Sequence, residues 1–274
     1  MNADRFKGTG VALITPFTSE GAIDWQALDR LVEYVIAGGV DYLVALGTTA
    51  ETPVLHMDEK KAILQRIVEV NQKRLPFVCG IGGNHTVEIL DWFKTYPLDG
   101  VDALLSVTPY YNKPGQQGLL AHYRTLNQYT PLPIIVYNVP GRTAVNMLAD
   151  TTLQLARDCE HIIGIKEASG DMVQCMQLVQ NRPEGFLLLS GDDNLALAQM
   201  AIGFDGVISV AANAYARAFS TMIRQAADGN IQQARTLHYE WLPGIDLLFS
   251  EGNPAGIKCA LHLMGYCGNH LRLP

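Results

Sequence analysis

The sequence predicts an α/β fold, a (β/α)8 barrel of the TIM type with a C-terminal helical appendage. Eight short β-rich runs recur at roughly 25 to 35 residue intervals, each followed by an amphipathic helical pattern. The length, 274 residues, is one that such a barrel fills as a single unit. The first βα turn, Thr15-Pro16-Phe17-Thr18-Ser19-Glu20-Gly21, lacks the GxGxxG phosphate loop of a doubly wound open sheet, which is the competing arrangement.

Taken in order, the first apolar run, 11–14, leads through that turn to a helical pattern over 24–37 with Asp24 at its N-cap. The second run, 42–46, precedes a helix over 58–73 capped by Asp58, and the third, 77–81, a helix over 86–96 capped by Thr86. Runs at 103–107 and 134–137 precede helices over 117–128 and 149–159. The sixth run, 162–165, is followed by a helix starting at its cap Asp171 and ending at 181. Runs at 186–189 and 206–210 lead to helices over 194–202 and 215–227. All eight runs are short and apolar, as strands covered on both faces require. Two more helical patterns, 231–249 and 254–264, follow with no linker-like composition before them. The expected division is a catalytic barrel over 1–228 and a helical extension over 229–274.

Hydrophobic residues make up 48% of the chain and charged residues 17%, a composition that buries a core rather than staying disordered. The formal net charge is -7 and no Lys/Arg cluster is present, which argues against nucleic acid or an anionic membrane as partner and for a small ligand. Five cysteines, Cys79, Cys159, Cys175, Cys259 and Cys267, are widely spaced with no CxxC pair and read as reduced thiols. The stretch Met1-Asn2-Ala3-Asp4-Arg5-Phe6-Lys7-Gly8 has no apolar signal core, and no run nears the ~18 apolar residues of a membrane span, so a cytoplasmic location is expected.

Of the eight lysines, Lys166 alone interrupts a strand, in Ile162-Ile163-Gly164-Ile165-Lys166-Glu167. An ammonium there loses hydration, so it either finds a counter-charge, snorkels to solvent or serves as a nucleophile. Period-2 alternation puts Ile163, Ile165 and Glu167 on one face and Ile162, Gly164 and Lys166 on the other, leaving free volume at Gly164 and the adjacent acid pointing away.

Four polar clusters fall at strand ends. Gly47-Thr48-Thr49-Ala50-Glu51 follows the second strand, where backbone N–H groups and hydroxyls can hold a carboxylate or simply form a turn. Thr108-Pro109-Tyr110-Tyr111-Asn112-Lys113-Pro114 follows the fourth and marks a pocket rim, an interface or ordinary loop packing. Tyr137-Asn138-Val139-Pro140-Gly141-Arg142-Thr143 follows the fifth. Tyr137 precedes Lys166 by one repeat, so the two belong on adjacent strands ~5 Å apart, where a phenol can shuttle an amine's protons. Arg142 suits a substrate carboxylate or a surface ion pair. Ser190-Gly191-Asp192-Asp193-Asn194 follows the seventh strand, as a site element or a helix cap. Together these residues describe amine catalysis on a keto acid, with a protonated imine as electron sink.

These segments resemble the dihydrodipicolinate synthase/N-acetylneuraminate lyase family of Schiff-base barrels, over residues 8–274. Gly164-Ile165-Lys166-Glu167 is similar to its imine-forming segment and Tyr137-Asn138-Val139-Pro140 to its catalytic tyrosine segment. Residues 110–114, Arg142 and Ser190-Gly191-Asp192-Asp193 are similar to the synthase branch, which condenses pyruvate with L-aspartate 4-semialdehyde to 4-hydroxy-tetrahydrodipicolinate on the diaminopimelate and lysine route. The resemblance implies that Lys166 forms the pyruvate imine, that Tyr137, Thr48 and Tyr111 relay protons, and that Tyr111 does so in a neighbouring subunit's site. It also implies that Thr48 and Thr49 hold the pyruvate carboxylate, Arg142 the semialdehyde's carboxylate, and that the Gly191 and Ile208 backbones line the pocket. No cofactor or metal is implied, and the assembly would be a homodimer or a dimer of dimers.

Three departures from the family pattern stand out. Ala50 replaces a usual glycine. Met57 and Lys60 stand where lysine-inhibited members carry histidines, while Asn84, Glu88 and Tyr110 match the other effector contacts. The Lys60 ammonium should repel a lysine ligand, so weak or absent feedback inhibition is expected. Members of the family that this sequence resembles generally continue past a Leu-Arg-Leu-Pro segment into another helix, whereas this sequence stops at Pro274, as trimmed disorder or a shortened C-terminus would each explain.

Competing readings are another lysine aldolase of the same family, acting on N-acetylneuraminate or a 2-keto-3-deoxy-sugar acid, and a non-catalytic keto-acid-binding barrel. A metal-dependent aldolase would want clustered histidines, and only His85 lies near a strand end.

Overall fold

The computed structural model describes residues 3–274; the first two residues of the N-terminal stretch and of the expected barrel domain lie outside the described residues. Eight strands run parallel and close on themselves: β1 Gly8–Ala12, β2 Tyr42–Ala45, β3 Phe77–Gly80, β4 Ala103–Val107, β5 Ile134–Asn138, β6 Ile162–Glu167, β7 Leu187–Ser190 and β8 Gly206–Ser209. β1 pairs with both β2 and β8, so the barrel has no sheet edge and the open-sheet alternative falls.

Eight helices accompany the strands as expected: α1 Trp25–Ala37, α2 Met57–Asn71, α3 Thr86–Thr95, α4 Gln116–Tyr129, α6 Ala149–Asp158, α7 Met172–Asn181, α8 Ala196–Ile202 and α9 Ala216–Ala227. A one-turn helix, α5 Pro140–Thr143, lies between β5 and α6 with proline in its first turn. The extension is α10 Ile231–Phe249 and α11 Ala255–Leu263. α10 packs on α9, and Trp241 meets Tyr215 with ring centroids 4.8 Å apart.

The first strand differs most from expectation, starting at Gly8 and ending before Leu13 and Ile14. Gly8-Thr9-Gly10 has no apolar pattern, but Gly8 and Thr9 pair with Gly206 and Val207 of β8. A Cβ at Gly10 would collide with the Tyr42 ring, which is fully buried inside the barrel and meets Phe6 edge-on at 5.8 Å. Asp24 caps α1 by accepting from the Ala27 N–H (2.9 Å), and Asp171 caps α7 through the Val173 N–H (2.8 Å). The other two expected caps are displaced. His56 precedes α2, and the Glu59 carboxylate folds back to accept its N–H (2.9 Å), so Asp58 sits inside the first turn. The Thr86 hydroxyl is engaged with His122 Nδ1 (2.9 Å), leaving His85 at the cap of α3.

The core has two layers. Val44, Val78, Leu105, Ile135, Leu187 and Leu189 belong to the cluster inside the barrel, and a larger cluster including Val11, Leu43, Leu104, Ile134 and Leu188 joins the strands to the helices. All five cysteines are free, and only Cys259 is exposed. Among the described residues no helix is long and apolar enough to cross a membrane.

Candidate active site

The register of β5 on β6 sets Tyr137 directly beside Lys166. It shifts between Ile134 and Ile135, so Ile162 faces the outer layer, Ile163 the inner one, and the simple alternation expected for this strand fails there. The volume expected at Gly164 is filled: a Cβ there would lie 2.6 Å from Leu187 Cβ. Beyond the irregularity the alternation holds, with Ile165 in the outer layer and Lys166 facing inward beside Tyr137.

Lys166 is 5% exposed, and its Nζ lies 4.2 Å from the centroid of the Tyr137 ring. No carboxylate oxygen among the described residues comes within the 4.0 Å of an ion pair with it. Glu167 is engaged on the other face of the strand, accepting from Asn138 Nδ2 (3.1 Å), Gln174 Nε2 (3.0 Å) and the Ser169 N–H (2.8 Å). Burial pushes its carboxyl upward against the pull of these donors. Asp193 is also buried and raised, and its Oδ2 accepts from the Val210 and Ala211 N–H groups, so it braces the turn after β8 and not α8. Asp192 faces the lysine's charge without reaching it. Burial pushes its carboxyl up to about 6 while Lys166 draws it down.

A second buried lysine gives the contrast. Lys258 of α11 is fully buried, ion-paired to Glu51, donates to the His270 carbonyl (2.8 Å) and stands 4.1 Å from the Phe17 ring centroid. Its helical sequence context hid it, although it sits within the apolar run of Ile257 and Leu261, both fully buried. One lysine is ion-paired and the other, among the described residues, has no carboxylate within ion-pair distance.

A cleft of about 330 Å³, within the range of small-molecule sites, opens at this end of the barrel. Thr48, Tyr110, Tyr137, Arg142 and Thr143 line it, and it runs on to Lys60, Trp92 and Tyr96. Lys166, Thr49, Gly191 and Ile208 lie outside that wall. Lys166 sits against the Tyr137 ring, Thr49 is 2% exposed, Gly191 donates to the Glu167 carbonyl (2.7 Å), and Ile208 belongs to the barrel interior. Thr48-Thr49-Ala50 forms a 3-10 turn held by the Thr15 hydroxyl on the Ala50 carbonyl (2.8 Å) and the Thr52 hydroxyl on the Gly47 carbonyl (2.9 Å). Ala50 is accommodated in this turn, 2% exposed.

Asn253, between α10 and α11, touches two of the expected site residues and was not singled out from the sequence. Its Nδ2 donates to Thr49 Oγ1 (3.0 Å) and its carbonyl accepts from Arg142 Nη2 (3.4 Å). Only its Gly-Asn-Pro turn context was visible in sequence. Tyr111 is 86% exposed at φ 66°, so its side chain leaves the cleft of its own barrel. At the far end, Asn84 Nδ2 donates to the Tyr110 carbonyl (3.2 Å) and Lys60 Nζ lies 5.9 Å from the Trp92 ring centroid. Burial lowers the Lys60 ammonium's pKa, and the exposed Glu88 partly offsets it. No cluster of three or more metal-ligating side chains occurs among the described residues.

A family model, the Dihydrodipicolinate synthetase family, matches residues 5–274. The chain is 49% identical over 269 residues to a Flavobacterium psychrophilum protein named 4-hydroxy-tetrahydrodipicolinate synthase, covering 98% of this chain and 92% of that one. Among solved structures, a monomeric dihydrodipicolinate synthase variant matches with a TM-score of 0.96 at 38% identity, covering 99% of this chain and 91% of that one. DHDPS from Cyanidioschyzon merolae with lysine bound matches with a TM-score of 0.94 at 35% identity, covering 98% and 92%.

Proposed function

The chain belongs to the dihydrodipicolinate synthetase family, and on that premise we propose how its residues carry out the reaction. It condenses pyruvate with L-aspartate 4-semialdehyde to give 4-hydroxy-tetrahydrodipicolinate. The observation that carries the mechanism is Lys166, buried, without a carboxylate partner among the described residues, and against the Tyr137 ring.

The Lys166 amine attacks the pyruvate ketone, and loss of water leaves a protonated imine. That cation accepts the electron pair released when a methyl proton departs, giving an enamine. The enamine carbon bonds to the semialdehyde's aldehyde carbon. The semialdehyde's own amine then attacks the imine carbon, closing the ring and expelling the Lys166 amine. Tyr137 carries protons to and from the nitrogen, with Thr48 and Tyr111 completing the relay. Thr48 and Thr49 hold the pyruvate carboxylate, Arg142 at the cleft wall holds that of the semialdehyde, and the Gly191 and Ile208 backbones line the pocket. The arginine favours the semialdehyde over a sugar-acid substrate.

The covalent imine is the only prosthetic chemistry in this reading. Borohydride added with pyruvate should leave a reduced pyruvyl adduct on the Lys166 peptide, read by mass spectrometry. A turning-over enzyme with no such adduct overturns the lysine's role.

The exposure of Tyr111 supports a site completed by a second copy, in a homodimer or homotetramer. Sedimentation during turnover tests this, since a fully active monomer removes it. Five free cysteines support a cytoplasmic location, which fractionation would check.

A further inference from the structure

The threonine turn is framed by two side-chain-bearing residues in the left-handed region, Leu46 at φ 54° and Glu51 at φ 54°. Such residues persist only where neighbours over-determine them. What holds Glu51 comes from the other end of the chain. Its carboxylate pairs with the fully buried Lys258 and accepts from the Arg272 N–H (3.0 Å). Lys258 and the Arg272 guanidinium lie 4.1 and 4.5 Å from the Phe17 ring centroid, and Arg272 goes on to bind the Val54 carbonyl (3.0 Å) and Glu59 (2.6 Å). From its other side the turn is held by Asn253, through Thr49. The mechanism above uses neither Lys258, Glu51 nor Asn253.

We propose that the helical extension positions the pyruvate-binding turn, with Lys258 and Glu51 fixing its C-terminal end and Asn253 orienting the Thr49 hydroxyl. A hydroxyl has one hydrogen and two lone pairs. The Asn253 amide occupies a lone pair, so the hydrogen remains free to donate to an anion. The Glu51–Lys258 pair keeps that donor in register with Thr48, because a relaxed Glu51 would let the 3-10 turn unwind. This inference rests on the reading that Thr48 and Thr49 hold the pyruvate carboxylate.

The decisive variant is Glu51→Gln combined with Lys258→Met, which removes both charges and strands neither. The readouts are the pyruvate concentration that half-saturates borohydride trapping of Lys166, and the separate KM values for pyruvate and semialdehyde. Expected are a rise of about tenfold in both pyruvate values and a change within about twofold in the semialdehyde KM. A folded double variant with unchanged pyruvate values overturns the proposal, as does one in which both KM values rise together, the mark of general loosening. Should that chain not fold, Asn253→Ala decides, since it keeps the carbonyl that Arg142 uses and loses only the amide on Thr49. A rise of several-fold in the pyruvate values then sustains the proposal, and no change overturns it. Thr49→Val separates the underlying reading: unchanged pyruvate binding there sinks the carboxylate assignment, whereas a rise there with none in the deciding variant sinks the positioning role alone.

Discussion

Two buried lysines differ in what faces them. Lys258 meets a carboxylate, a carbonyl and a ring; Lys166 stands 4.2 Å from the Tyr137 ring centroid and, among the described residues, has no carboxylate within ion-pair distance, Asp192 included. Tyr137→Phe keeps the ring over the amine and deletes the hydroxyl proposed to carry protons. Its kcat should fall by roughly 10² to 10⁴, the usual worth of a positioned acid–base group, while the pyruvate adduct still forms under borohydride. An unchanged kcat in steady-state assays would remove the phenol from the relay. Lys60 makes a second prediction at this scale. Its half-buried ammonium lines the same cleft, near the Trp92 ring, and repels a cationic ligand. Sub-millimolar lysine should therefore leave the rate unchanged, and strong inhibition in that assay would refute the expectation.

Among the elements, β6 is the most tightly specified. Gly164→Ala would press a Cβ to 2.6 Å from Leu187 Cβ and 2.8 Å from its carbonyl oxygen, prising β6 from β7 two residues before Lys166. A loss of about 1–3 kcal/mol in chemical denaturation, with slower imine trapping, is the expected result. Wild-type stability in that variant would mean the strands yield more readily than the geometry indicates. Most elements were legible because buried parallel strands are short apolar runs, and Lys166 and Tyr137 were legible because a charge and a phenol stand out within or beside such runs. The start of β1 was not, since Gly8-Thr9-Gly10 earns strand geometry only from β8 and from the room that Tyr42 needs. Neither was the register shift that sets Ile162 and Ile163, which no local pattern announces. Asn253 escaped for another reason: it meets Thr49 across 204 positions, beyond any window in which sequence periodicity operates.

For the whole molecule, the barrel closure and the tail contacts both join early residues to late ones. Acid should loosen the tail. The Arg272 guanidinium bonded to Glu59 holds that carboxyl down to about 2, against roughly 4.3 when unfolded. The folded value is depressed, so its stabilisation is complete above the unfolded pKa and fades as pH falls through the window down to 2. After allowance for solvent screening the effect is on the order of 1 kcal/mol. Glu59→Gln should flatten that part of the stability–pH curve, and an unaltered curve from acid denaturation would place the linkage elsewhere. The tail's grip on Glu51 and Glu59 also bears on biogenesis. As the ribosome extends the polypeptide, β1 waits for β8 and the threonine turn waits for Lys258 and Arg272. That turn is therefore completed only once residue 272 has been added.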